Sequence, residues 1–416
     1  MSEKEAYKKE VQFFFLTLGV GSLLSWNTIL TELDYFSDHM KNYNPATIFS
    51  NINFAINLTL QLILLSTKKI FSYRTLFIVG LLFYISSMIA LGIFPIILDE
   101  YKGFLVSCTF VFINGFGNAI VQSSMFALVS FFPIENTISV GTGQGISGIL
   151  MNVIRYFILF FSSVISTDRA ANIFFGISTL ILLFVLYQLC KIYSNPYFTL
   201  KLKNIGELEG EKGEKEKLIE QEEEGGQELK NLDKTQEESK EKKNTENKGL
   251  LFLFCKIYDI NFMIFLCFSI TIGLYPGACL RPDFFNISPG YHVNTIIFLY
   301  NLFDTLGRQL VSYIKKPTKK QLYLLSFFRI IFLVLIPGIP YLKTKLEFDM
   351  SILTCLSVSL MALTNGIANN LCFALAPEQV EGDLKAKAGS SVSFFLAVGL
   401  FAGSLVGNVI EIITVN

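Results

Sequence analysis

Charge is scarce in this chain. Asp, Glu, Lys and Arg make up 16% of its 416 residues against 52% hydrophobic, and the mean hydropathy is +0.50. That balance excludes a soluble domain of this length and implies an integral membrane protein. Acids and bases number 34 each, so no basic surface offers itself to nucleic acid. Histidine is nearly absent: His39 and His292 stand far apart, neither in an H-E-x-x-H spacing, and no metal or other cofactor is expected. Cys108, Cys190, Cys255, Cys267, Cys279, Cys355 and Cys372 form no close pairs, which excludes a zinc knuckle or a secreted disulfide framework and leaves them as small buried hydrophobes. With no Ser/His/Asp arrangement and no paired intramembrane aspartates, an enzyme is not expected either. Nor is a cleaved signal peptide, because the apolar run after the charged residues 1–10 is too long and lacks a small-residue cleavage site.

What the chain does have is a series of apolar runs near the roughly 20 residues that cross a bilayer. We read eleven spans, at residues 11–35, 46–67, 75–98, 102–132, 137–165, 171–194, 250–280, 291–314, 321–342, 350–377 and 387–412. Lys and Arg concentrate in alternate flanks: Lys4, Lys8 and Lys9 before the first span, Arg74 between the second and third, Lys191, Lys201 and Lys203 after the sixth, Lys319 and Lys320 before the ninth. The positive-inside bias then puts the N-terminus in the cytoplasm and the C-terminus outside. Residues 196–249 are rich in Glu, Lys, Gln, Asn and Gly, too polar to fold alone, and read as a disordered cytoplasmic linker. The linker divides an all-α membrane protein into an N-terminal bundle of six helices (1–195) and a C-terminal bundle of five (250–416). Such a 6+5 division suggests two halves that rock against each other, as in transporters built from repeats.

Polar residues inside the spans carry the chemistry. Asp304 and Arg308 stand at i,i+4 with the acid first, so that each neutralises the other on one helix face. Unpaired, the two would oppose insertion by about 5–7 kcal/mol on insertion scales. A pair this deep is functional by default, although a structural pair would look the same; Arg308 lies about 10 Å of helix from the cytoplasmic end and is within reach of snorkelling, whereas Asp304 is not. The one tryptophan, Trp26, lies in mid-span, where its flat indole suits either stacking on a ligand or packing in a core. Asn114, Asn118 and Gln122 fall four apart on one face of the fourth span. Amides both donate and accept, which suits an uncharged polar solute, though interhelical hydrogen bonds would use them equally.

Asn365, Asn369 and Asn370 make a second amide seam in the tenth span. Gly145 and Gly148 in the fifth span and Gly399 and Gly403 in the eleventh form small-residue stripes for tight or sliding helix contact. Pro276 predicts a kink in the seventh span. Arg155, in the fifth, either binds a solute or snorkels outward.

Trp26-Asn27, the Gln122-Ser-Ser-Met-Phe-Ala-Leu run followed by Pro133 and Gly143-Gln144-Gly145, Thr271-Ile-Gly-Leu-Tyr-Pro276, Phe303-Asp304-Thr-Leu-Gly307-Arg308, and Thr364-Asn365-Gly366 with Pro377 and Ala388-Gly389 occur in that order. Together they resemble the equilibrative nucleoside transporter family, over nearly the whole membrane part. The resemblance implies a bundle related to the major facilitator fold, with a central nucleoside site between the halves. It further implies that Trp26 lies against the ligand, that Gln122 touches the nucleobase, and that Asp304 and Arg308 engage ribose hydroxyls and other polar atoms. Two departures leave base selectivity and proton coupling open: Asn118 replaces an expected small residue, and Glu32 and Asp34 add acid near the outer end of the first span. Glu32 has no partner evident in the sequence, whereas Asp304 has Arg308, so Glu32 is the better candidate proton carrier.

The residue chemistry agrees with this resemblance. A nucleoside is neutral, its vicinal hydroxyls donate to a carboxylate, and its base pairs with amides and stacks on an aromatic. Asn118 and Asn365 complete the expected binding set. The expectation is facilitated diffusion of nucleosides, with nucleobases as further candidates, by a monomer that alternates in the lipid bilayer; the alternatives are proton-coupled symport, a carrier for another small polar solute, and a receptor or scaffold with a transporter fold. The plasma membrane is the default location. Asn286-Ile-Ser288 is a glycosylation sequon on the expected outer side.

Overall fold

The computed structural model describes residues 3–67, 71–161, 165–206, 231–275, 277–280, 289–314, 317–346, 350–382 and 384–415. The regular elements among them are all helical. In chain order α1 is Glu3–Thr31, α2 Pro45–Ser66, α3 Tyr73–Ile97, α4 Glu100–Val129, α5 Ile134–Phe160, α6 Thr167–Ile192, α7 Asn231–Leu274 and α8 Pro289–Leu310. Helix α9 consists of Lys319–Phe328 and Phe332–Leu346 about a 3-10 turn at Arg329–Ile331, α10 is Ser351–Glu378 and α11 is Leu384–Val415. Short helices, Leu33–His39 and Gly277–Leu280, follow α1 and α7.

Local sequence sets the helix starts. Asn44 accepts from the Thr47 amide with Pro45 in the first turn of α2, Ser72 accepts from Thr75 at α3, and Asp99 accepts from Lys102 at α4. Thr318 and Gln321 close a reciprocal capping box at α9. Helix α7 bends at Ile257, whose φ of −122° and ψ of 17° leave the helical region. The predicted kink residue Pro276, the sequon at 286–288 and the linker residues 207–230 lie outside the described residues. Residues 196–206 and 231–249, which composition assigns to the linker, are helical, the latter as the start of α7, and Phe198 is buried 5.5 Å from Phe14 and 5.7 Å from Phe132.

Among the described residues, ten helices are long and apolar enough to cross a membrane. Helix α8 has the length, 22 residues, but Asn294, Asn301, Asp304 and Arg308 make it too polar to qualify by composition. The molecule is thus a multi-pass membrane protein in which α8 turns Asn294, Asp304 and Arg308 inward. Its outer surface carries exposed Phe157, Phe160, Leu180, Leu324 and Val334, as a lipid-facing wall should. Four cysteines depart from the buried reading: Cys190 and Cys255 are exposed, and Cys108 and Cys355 are half-buried.

Helix α1 packs along α5 and α6, and α4 packs on α2 and α3; α7 packs along α11, and α10 on α8 and α9. The two groups meet where α5 crosses α8 and where α2 and α4 reach α11. Advancing six helices turns α2 into α8 and α5 into α11. The α2–α11 and α5–α8 contacts are therefore counterparts, the relation expected of a repeated architecture.

Candidate functional site

Where the two groups face each other they leave a cavity with about 960 Å³ of atom-free space, part of it open to the exterior. Trp26, Asn118, Gln122, Asp304, Arg308 and Asn365, predicted from the sequence as a binding set, all line this one cavity. They come from α1, α4, α8 and α10, so folding gathers residues up to 339 positions apart (365 minus 26).

Asp304 and Arg308 are 5% and 4% exposed. Arg308 Nε donates to Asp304 Oδ2 at 2.7 Å, while Nη1 donates to Gln144 Oε1 at 2.8 Å and to the Gly141 carbonyl at 3.3 Å. The guanidinium therefore turns inward and joins α8 to α5 instead of snorkelling. On the other side of the carboxylate, Asn365 Nδ2 donates to Asp304 Oδ1 at 2.8 Å. Each carboxylate oxygen keeps lone-pair capacity for a further donor. Gln122 donates through Nε2 to Asn118 Oδ1 at 2.6 Å and so keeps its carbonyl to offer as an acceptor. Trp26 sits 5.3 Å from Phe54, ring centre to ring centre. One wall is a stack of Tyr275 on Tyr300 at 4.0 Å.

Sequence reasoning missed Tyr300, although it stands one turn before Asp304 on the same face. It also missed Phe54 and Tyr275, and it used Gln144 only as part of a motif. Asn114 does not line the cavity; its amide donates to Asn53 on α2 at 3.2 Å, the interhelical alternative for that residue. The glycine stripes divide. A side chain on Gly145 or Gly148 would collide with Thr305 or Asn301 of α8, so these two allow the close contact between the halves. A Cβ on Gly399 or Gly403 would lie 2.8 Å from the carbonyl of Phe265 or Ser269 on α7, which places that stripe inside the C-terminal half. Helix α11 instead meets the N-terminal half at Gly389, against the Phe126 carbonyl, beside a stack of Phe126 on Phe373 at 3.5 Å.

Arg155 neither lines the cavity nor snorkels. It pairs with buried Glu32 at 2.8 Å and also with Asp34. Glu32 is therefore ion-paired just as Asp304 is, contrary to its sequence-level reading, and the reason is a partner 123 positions away. Breaking a buried pair strands a charge, whereas breaking an exposed one does little. Arg155→Ala should lower the melting temperature of the detergent-purified protein by several degrees or more, while Lys102→Ala, whose pair with Asp99 is solvent-exposed, should leave it unchanged. Equal melting temperatures for both variants would refute this.

A family described as nucleoside transporter matches residues 107–412. Equilibrative nucleotide transporter 1 of Arabidopsis thaliana is 25% identical, over 97% of this chain and 87% of its own. Equilibrative nucleoside transporter 1 of Homo sapiens is 26% identical, over 95% and 96%, and equilibrative nucleoside transporter 2 of Rattus norvegicus is 28% identical, over 94% of each. Among solved structures, the proton:xylose symporter XylE superposes with a TM-score of 0.63 at 15% identity, covering 98% of this chain and 89% of that one. The human organic anion transporter MFSD10 superposes with a TM-score of 0.56 at 12% identity, covering 96% and 92%. At those identities the likeness speaks for the fold alone, that of the major facilitator transporters.

Proposed function

The chain belongs to the nucleoside transporter family, and on that premise we propose that it moves nucleosides across a membrane by facilitated diffusion, its central cavity opening to one side and then the other. The observation that carries the reading is the convergence of Trp26, Asn118, Gln122, Asp304, Arg308 and Asn365 on one cavity between two groups of helices. Asp304 accepts from ribose hydroxyls, Arg308 donates to ring or base atoms, Gln122 and Asn118 meet the edge of the base, and Trp26 lies against its face. Nucleobases share the base-reading half of these contacts and are candidate substrates as well.

In this reading the polar α8 crosses the bilayer because its two charges cancel, which gives eleven crossings in a 6+5 division. The Lys and Arg flanks support a cytoplasmic N-terminus and an outer C-terminus, the plasma membrane is the default location, and the chain acts as a monomer. The α5–α8 and α2–α11 contacts are the surfaces on which the halves rock. Proton-coupled uptake is the second reading, favoured by one observation: Glu32 is buried and its Oε2 has no hydrogen-bond partner among the described residues.

The test is uptake of radiolabelled purine and pyrimidine nucleosides into proteoliposomes, with and without an inward proton gradient. Saturable uptake that ignores the gradient is expected; gradient-driven accumulation would favour the second reading, and no uptake of any nucleoside would sink both. In the same vesicles Trp26→Ala should raise KM by roughly fivefold to a hundredfold, since stacking a base on an aromatic ring contributes about 1–3 kcal/mol. An unchanged KM would remove Trp26 from the site.

A further inference from the structure

Helix α9 contains one buried cation that lies outside the cavity. Arg329 is 0% exposed and stands where α9 tightens into its 3-10 turn. Among the described residues no carboxylate lies within ion-pair distance of it. Its Nη1 donates to the Met361 carbonyl at 2.7 Å and to Thr364 Oγ1 at 2.8 Å. Its Nη2 donates to the Cys267 carbonyl at 3.3 Å, to Thr271 Oγ1, and to Asn365 Oδ1 at 3.2 Å. A guanidinium this deep is costly without a compensating negative charge. The carboxylate that supplies one is Asp304, reached through the Asn365 side chain.

The two ends of an asparagine amide are nearly equal in size, so the sense in which the group sits is set by its partners. Arg329 can only donate. With its Nη2 at Asn365 Oδ1, the carbonyl end is held toward α9 and the NH₂ end toward Asp304. Thr271 also lies 2.8 Å from Asn365 Oδ1, but a hydroxyl can turn to accept instead. Asp304, which only accepts, favours the same sense from the other side; without Arg329 the carbonyl end of the amide loses its charged anchor and is left to the Thr271 hydroxyl alone. Asp304 is thus gripped from both sides, by Arg308 on Oδ2 directly and by Arg329 on Oδ1 at one remove.

We infer that Arg329 is a positioning residue for the substrate: by anchoring the carbonyl end of the Asn365 amide it holds Asp304 Oδ1 in place for the hydroxyls of the ligand, without touching the ligand itself. This rests on the reading of the cavity as a nucleoside site. Arg329 does not line that cavity, so its effect has to pass through Asn365.

The experiment compares uptake of a ribonucleoside and of its 2′,3′-dideoxy analogue by wild type, Arg329→Gln, Arg329→Lys, Asn365→Ala and the double variant Arg329→Gln/Asn365→Ala in proteoliposomes. Arg329→Gln and Asn365→Ala should each raise the ribonucleoside KM roughly tenfold or more, the equivalent of one hydrogen bond to a charged group. For Arg329→Gln the KM for the analogue should stay within about twofold, the double variant should be no worse than either single one on the ribonucleoside, and Arg329→Lys should recover part of the loss. Equal losses on both substrates, or additive losses in the double variant, would overturn the inference. Should Arg329→Gln fail to fold, Arg329→Lys and Asn365→Ala decide by the same comparison.

A ligand-free cycle separates this inference from the nucleoside reading. The thermal destabilisation caused by Arg329→Lys and by Asp304→Asn should be non-additive, with the coupling lost in an Asn365→Ala background. Additive destabilisation overturns the relay whatever solute is carried, while absence of nucleoside uptake by the wild type overturns only the reading of the cavity.

Discussion

Replacing either Asp304 or Arg308 with alanine is expected to abolish uptake while some protein still reaches the membrane. The two side chains are almost wholly buried and share a 2.7 Å hydrogen bond. Removing one leaves the other as an unpaired charge in a low-dielectric interior, a loss of about 3–5 kcal/mol for a buried pair. The same change deletes a ligand contact, so loss of stability and loss of transport would be confounded in the single variants. The double variant Asp304→Ala/Arg308→Ala separates them, because neither partner of that pair is left facing a vacancy. It should be more abundant and more thermostable than either single variant and still transport nothing. Normal uptake by both single variants would sink the assignment of the site.

The second large effect is expected from a residue that carries no polar side chain. Gly366 lies where α10 crosses α8, and a Cβ there would overlap the Asp304 carbonyl oxygen and lie 2.8 Å from the Arg308 amide nitrogen. Backbone atoms cannot swing aside as a flexible side chain can, so Gly366→Ala must push the two helices apart at the turn that bears the ion pair. Both the yield of folded protein and transport should fall severely. Gly176→Ala and Gly338→Ala, where no described atom beyond the helix's own neighbouring backbone lies within 4 Å of the added carbon, should match wild type in both respects. Size-exclusion profiles of the fluorescently tagged variants, followed by uptake, give the comparison. A Gly366→Ala protein with a normal profile and normal transport would contradict the packing described here.

The residues behind these expectations differ in how plainly the sequence marks them. The Asp304–Arg308 pair is legible because both partners lie on one helix and the i,i+4 spacing settles their meeting. The cavity-lining role of Trp26, Gln122 and Asn365 is legible because a tryptophan or an amide deep in an apolar run is unusual enough to mark itself. Arg329 is no less unusual, yet its meaning depends on Thr271, Thr364 and Asn365, which two other helices supply only after folding. Glu32 and Arg155 are hidden from sequence for the same reason. Sequence spacing predicts close contact at the stripes Gly145/Gly148 and Gly399/Gly403 but not the partner. One stripe turns out to join the halves and the other to knit α11 to α7. Helix α8 shows the converse. Its polarity, which marks the site, is also what removes it from a count of apolar spans.

One cavity that serves both faces of the membrane in turn is the central claim, and counterflow tests it most directly. Proteoliposomes of the wild-type protein, preloaded with unlabelled nucleoside and diluted into a trace of labelled nucleoside without any ion gradient, should accumulate label transiently above equilibrium and then lose it. A crosslink joining the outer ends of α1 and α7 should eliminate the overshoot. Label that only drifts to equilibrium in the wild type, or an overshoot that survives the crosslink, would contradict alternating access through this cavity.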